Sequence, residues 1–166
     1  MSPPAKILLL GLGNDLLTDD AIGLHIARAV REYLADCENV TVRESVEMGL
    51  CLLDLIAGFD VLVLVDSIQT GQLSPGFLHQ FDVSELALLS TRSPHFLGVG
   101  EVIALGRELG FQVPSSVRIL AVEVQDPFTV SQQLSRTLAA MLPQLVRQVA
   151  DQVRIIALQD EQALPV

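Results

Sequence analysis

The chain has 166 residues, half of them apolar, only 4% aromatic and none of them Trp, so one domain with an aliphatic core accounts for its length. Ten basic against twenty acidic residues leave a formal net charge of -10, which opposes nucleic-acid phosphates and anionic membrane surfaces. No apolar run approaches the roughly 18 residues of a membrane span, and the N-terminus lacks the basic, apolar and small-residue order of a secretory signal, so a cytoplasmic protein is expected.

The segment "KILLLGLG", residues 6–13, reads as a short buried strand running into a glycine turn of positive φ. In "DDAIGLHIARAVREYL" the apolar residues Ile22, Ile26, Ala29, Val30 and Leu34 recur at helical spacing. Thr18 or Asp19 is placed to cap that helix, with Asp20 in its first turn facing the positive end of the dipole. His25 shares a helix face with Arg28 and Glu32 and is expected in solvent. "NVTVRESVE" gives a second strand, "LCLLDLIAGF" a helix ending at Gly58, and "DVLVLVDS", residues 60–67, a third strand that is apolar up to Asp66. Such continuous apolarity implies burial on both faces.

"GQLSPGFLHQFD" has turn residues ahead of an edge strand carrying His79, and "SELALLSTRSPH" reads as a long loop with a short helix inside. A helix follows over 97–109 and a strand over 116–124. A helical stretch then begins near Val130, and Pro143 breaks or restarts it because proline lacks the N–H of an interior turn. The residues from about 157 onward are expected to fray as a flexible tail. Cys37 and Cys51 form no C-x-x-C pair and carry no expected redox or zinc role.

This alternation predicts an α/β fold, a three-layer sandwich with a mostly parallel twisted sheet covered by helices on both faces. In such a fold the crevice lies beyond the carboxyl ends of the strands. That rule brings together the "GLGND" turn, Asp66 and the loop carrying His95. The glycines are not a dinucleotide fingerprint, since Leu16 stands where G-x-G-x-x-G needs its third glycine, and no organic cofactor is expected. An acid ending so apolar a strand must be hydrogen-bonded, paired, metal-bound or turned into the crevice. His95, in "SPHFLG", is a ligand or base candidate. Two carboxylates and one imidazole from three loops would make an open site for a divalent transition metal, with water or a substrate group completing the shell. Neither G-x-S-x-G nor H-E-x-x-H occurs.

In order and spacing, "ILLLGLGNDLLTDDAIG", "VLVLVDSI", "SPHFLG" and "AVEVQDP" resemble the corresponding segments of the maturation endopeptidases of nickel–iron hydrogenases, over nearly the whole chain. The resemblance implies a single domain, residues 1–166, that clips a short C-terminal extension from the hydrogenase large-subunit precursor after nickel insertion. It carries metal contact onto Asp20, Asp66 and His95, with the nickel belonging to the substrate and touched only transiently. General-base action by Asp20 or Asp66 is the accompanying catalytic expectation. Where the family often has a Gly/Thr-rich turn after the second strand, this chain has "ESVEMGL" and keeps only Gly49. Glu47 there either adds a carboxylate to the site or stays solvated.

The expected partner is the precursor, met by a monomer without nucleic acid or membrane. Two other readings stand beside this one. Peptidyl-tRNA hydrolase also begins with a strand and a G-x-G-N turn, but it needs a histidine soon after that turn and a basic face. Only His25 lies near, and the net charge has the wrong sign. A nickel-dependent binding or chaperone module would recognise the precursor and leave its C-terminus intact.

Overall fold

The computed structural model describes residues 3–85, 94–96 and 98–162. Its strands are β1 (Ile7–Leu12), β2 (Val40–Ser45), β3 (Val61–Ile68), β4 (Leu78–Asp82) and β5 (Ser116–Glu123). Its helices are α1 (Ile22–Tyr33), α2 (Cys51–Ile56), α3 (Val99–Glu108) and α4 (Arg136–Gln162). The sheet has the order β2-β1-β3-β5-β4, parallel throughout except for β4, which runs antiparallel to β5 at the edge.

Every residue of β1 and β3 is buried, as expected for strands covered on both faces. Because successive side chains alternate across a strand, the apolar runs divide between two cores. Ile7, Leu9, Val61, Val63 and Val65 pack with Ile26 and Val30 of α1 and with Leu145 and Val149 of α4. Leu8, Leu10, Leu62 and Leu64 pack with Leu52 and Ile56 of α2 and with Val102 and Ile103 of α3. The result is the expected three-layer α/β sandwich. Among the described residues no helix is long and apolar enough to cross a membrane.

The C-terminal part differs from expectation in three ways. Val130 is extended and bridges Leu17, so the last helix begins at Arg136 rather than near Val130. Pro143 lies inside α4 without ending it. The ring costs an interior helix about 3 kcal/mol, but buried Leu138, Leu145, Val146, Val149, Ala150 and Val153 hold the helix to the sheet on both sides of it. Pro143 and Ala139, whose carbonyl loses its donor, both lie on the exposed side, where water replaces the bond. Residues 157–162 continue this helix, with Ala157 packed on the core, where a frayed tail is expected, and the rest of that tail, 163–166, lies outside the described residues. The short helix expected within 84–95 falls mostly on residues 86–93, outside those described, and a single tight turn, Val83–Glu85, precedes them.

Gly11 belongs to β1 and not to a turn. Its role is close approach. A Cβ at Gly11 would lie 2.3 Å from the carbonyl oxygen of Gly23, and one at Gly23 would lie 2.2 Å from that of Leu12 and 2.4 Å from that of Val65. The first turn of α1 therefore rests directly on the backbone at the ends of β1 and β3. Gly23→Ala should lower stability by about 1–3 kcal/mol or more, since only backbone can yield. Gly100→Ala, where an added Cβ meets nothing within 4 Å, should leave the melting temperature unchanged or raise it. Thermal unfolding of the two variants checks this contrast.

Candidate functional site

Asp20 sits in a tight turn, Thr18–Ala21, that leads into α1. A Cβ at Gly13 would lie 2.3 Å from the backbone oxygen of Asp20, so this turn folds onto the strand exit only because that position is glycine. Neither Thr18 nor Asp19 caps the helix ahead of them: no side-chain capping bond forms at the turn or at α1. Thr18 Oγ1 instead donates to the carbonyl of Thr129 at 2.8 Å. The fully buried Asp19 carboxylate accepts the backbone N–H of Ser135 at 2.8 Å and that of Asp126 at 3.4 Å. The pull comes from the start of α4, whose backbone donors and positive dipole end attract an anion more strongly than the short first turn does.

With Asp19 committed to that clamp, Asp20 turns toward Ser67 at the end of β3 and toward His95. Ser67 Oγ donates to Asp20 Oδ1 at 2.9 Å, and His95 Nε2 lies 2.9 Å from Asp20 Oδ2. Asp66 lies in β3 just before Ser67, is completely buried, and accepts the Ser67 backbone N–H at 2.7 Å. His95 lies in the turn Pro94–Phe96, anchored by the neighbouring Phe96 ring in the core under α2 and α3. One ligand atom each from Asp20, Asp66 and His95 falls within 4.8 Å of the others, and all three residues are buried. The crevice rule thus places the three sequence candidates together.

Burial works against a charged His95 imidazole, but the hydrogen bond to Asp20 and the charges of Asp66 and Asp20 outweigh it and raise its pKa. Two carboxylates held this close in a low-dielectric pocket share one imidazole as their cationic counterpart. A divalent cation would satisfy the same charges. Two oxygens and one nitrogen suit a transition metal, and three protein ligands leave coordination positions for groups the chain does not supply.

The remaining candidates lie elsewhere. Glu47 is exposed and outside the cluster. His25 is half-buried rather than solvated, and burial, with Arg28 beside it, lowers its pKa. Cys37 is half-buried, its thiol donating to Asp36 Oδ1 at 3.6 Å, Cys51 is exposed, and neither is in a disulfide.

Sequence reasoning missed Ser67, the clamp made by Asp19, and Glu123. Glu123 ends β5 almost wholly buried. It accepts the Thr70 N–H at 2.8 Å, Thr70 Oγ1 at 2.7 Å, the Gly71 N–H at 2.9 Å and His79 Nε2 at 2.8 Å. It thereby fixes the loop that follows Asp66 and Ser67. The signal was present: "ILAVEV" closes an apolar strand on an acid just as "VLVLVDS" does.

Residues 24–152 match the family model of the hydrogenase maturation proteases. This chain belongs to that family. The hydrogenase 2 maturation protease of Escherichia coli strain K12 is 30% identical over 151 residues, spanning 90% of this chain and 91% of that relative. The solved structure of the hydrogenase maturating endopeptidase HybD from E. coli superposes with a TM-score of 0.73 at 30% identity, covering 90% of this chain and 92% of that one. HybD from Thermococcus kodakarensis, at 24% identity and a TM-score of 0.67 over 89% of this chain and 98% of that one, shares the fold. As a hydrogenase maturation protease the chain is a peptide-bond hydrolase.

In this maturation protease the Glu123 network also sets part of the acid limit of the fold. Burial alone would raise the Glu123 pKa, but the bonds from Thr70, His79 and Gly71 overcome it and hold the carboxyl below its ordinary 4.5. Its stabilisation is complete above that value and is lost as pH falls through it toward the folded-state pKa. Glu123→Gln should cost about 1–3 kcal/mol near neutrality and lose less stability than the wild type on acidification. Melting curves from pH 7 to about 3 test the sign.

Proposed function

We propose that this hydrogenase maturation protease removes a short C-terminal extension from the nickel-loaded large-subunit precursor of a nickel–iron hydrogenase. The nickel is part of the substrate, and Asp20, Asp66 and His95 contact it transiently as the mark of a loaded precursor. The observation that supports this reading is the convergence of three buried ligand atoms within 4.8 Å, an oxygen–oxygen–nitrogen set that leaves positions for a metal carried on another chain.

In this reading Ser67 and His95 hold both oxygens of Asp20 in place. The carboxylates supply charge to the docked cation, and His95 supplies a nitrogen ligand once its proton is displaced. Asp20 or Asp66 acts as general base toward the attacking water, and a metal beside the scissile amide also polarises its carbonyl. Residues 1–166 work as one domain, as a cytoplasmic monomer, without an organic cofactor, nucleic acid or membrane as partner.

The test is the intact mass of nickel-loaded and nickel-free precursors after incubation with the chain. Loss of a C-terminal peptide only from the loaded precursor is expected. An uncut precursor held in a nickel-dependent complex would replace the protease reading with that of a binding module. Asp20→Asn, Asp66→Asn and His95→Ala should each slow cleavage by about 10²–10⁴-fold with circular dichroism unchanged. Full activity in any of them would remove that residue from the site.

A further inference from the structure

Alternation along β3 divides the site between the two faces of the sheet. Leu62, Leu64 and Ile68 pack in the core under α2 and α3, whereas Val61, Val63 and Val65 pack against α1 and α4. The same alternation assigns Asp66 to the α2 and α3 face and Ser67 to the α1 face. His95 joins Asp66 on its side, since the neighbouring Phe96 is buried in that core. Asp20 comes from the other side, on the turn that leads into α1, and its two oxygens divide accordingly. Oδ1 accepts Ser67 Oγ at 2.9 Å, and Oδ2 lies 2.9 Å from His95 Nε2.

Ser67 touches both acids. Its hydroxyl holds Asp20, and its backbone N–H donates to Asp66 Oδ1 at 2.7 Å. The residue is only 3% exposed, so bulk water does not compete for these bonds.

The two bonds of Asp20 have different fates when a cation docks. An imidazole nitrogen that ligates a metal has given up its proton, so Nε2 in that role no longer donates to Oδ2. The Ser67 hydroxyl is already committed to Oδ1 and stands outside the carboxylate and imidazole set that suits a divalent transition metal, so nothing draws it away.

We propose that Ser67 is a positioning residue that keeps Asp20 Oδ1 bonded throughout, so that the docked nickel meets Asp20 through Oδ2 alone. Asp20 then enters as a single-oxygen ligand, and the coordination position a second oxygen would take stays open for a group carried by the precursor. Because the same residue fixes an oxygen of Asp66 through its backbone, the two carboxylates keep one relative placement before and after docking. This rests on the proposed contact of Asp20, Asp66 and His95 with nickel and adds which oxygen serves and what holds the other. A role confined to satisfying a buried carboxylate would show in stability and leave the metal's contacts alone.

The experiment applies nickel ions alone to the purified chain, without precursor, using isothermal titration calorimetry for affinity and nickel-soaked crystals for the contacts. In the wild-type crystal one Asp20 oxygen is expected on the nickel, with the other still about 2.5–3.0 Å from Ser67 Oγ. Ser67→Ala should weaken nickel binding about tenfold or more and free the carboxylate to turn, so that the single-oxygen contact is lost. Ser67→Thr keeps the hydroxyl and should stay within about threefold of the wild type. Melting temperatures of the variants separate a folding defect from a positioning one.

A wild-type nickel bonded to both Asp20 oxygens, or a Ser67 hydroxyl that has left Oδ1, would overturn this role, and that crystal decides the matter should the Ala variant not fold. So would a folded Ala variant that keeps wild-type affinity or the single-oxygen contact. A Thr variant that melts like the wild type yet binds as weakly as Ala would overturn it too. Nickel held by Asp20, Asp66 and His95 with an indifferent Ser67 keeps the metal contact and rejects the positioning role, whereas a wild-type chain that takes up no nickel rejects both.

Discussion

Backbone contact between α1 and the ends of β1 and β3 is the constraint on which the site depends. Gly11 and Gly23 let the helix descend until carbonyl oxygens occupy the space where side chains would begin, and Gly13 lets the connecting turn fold against Asp20. Raising the helix by one methyl group would move the turn that presents Asp20, while Asp66 and His95 stay on elements of their own. Three ligand atoms from three separate segments meet only because one of those segments is pressed flat onto the sheet.

The adjacent acids Asp19 and Asp20 divide two tasks between them. Asp19 turns toward the start of α4, where it satisfies backbone donors and braces the segment after β5. Asp20 turns toward Ser67 and His95. A buried carboxylate is costly unless its oxygens are bonded, and each of these meets the requirement differently. Asp19 is bound by main-chain N–H groups that leave it a fixed structural anion. Asp20 is bound by a hydroxyl and an imidazole, partners that can rearrange when a cation arrives. The same contrast separates the sheet's other two buried acids. Glu123 is surrounded by donors that tie down a loop, whereas Asp66 joins the cluster that suits a metal.

Much of this was legible in the sequence, for reasons that can be named. Continuous apolar runs such as "ILLL" and "VLVLV" admit little besides buried parallel strands, and strand–helix alternation then fixes the layers and the side on which a crevice opens. Asp66 and His95 stood out because each is a polar residue where the surrounding pattern gives it no reason to be. The roles within "TDD" were not legible, because capping is a local rule and the partners that decide the matter, Ser135 and Asp126, lie more than a hundred residues away. Pro143 and the start of α4 were misread for a related reason: local breaking signals gave way to an apolar stripe packed on the sheet, and Val130 was drawn into a ladder with Leu17. Ser67 gave no signal of its own, since its hydroxyl matters only once Asp20 is opposite it.

The central claim is that Asp20, Asp66 and His95 form one contact site for a divalent metal. It is tested most directly by a nickel-edge anomalous difference map from crystals soaked in nickel. The account predicts a peak bonded to one oxygen of each aspartate and to the imidazole nitrogen of His95, at about 2.0–2.2 Å, absent in Asp20→Asn. A map with no peak there, or a peak that leaves out Asp66 or His95, would contradict it.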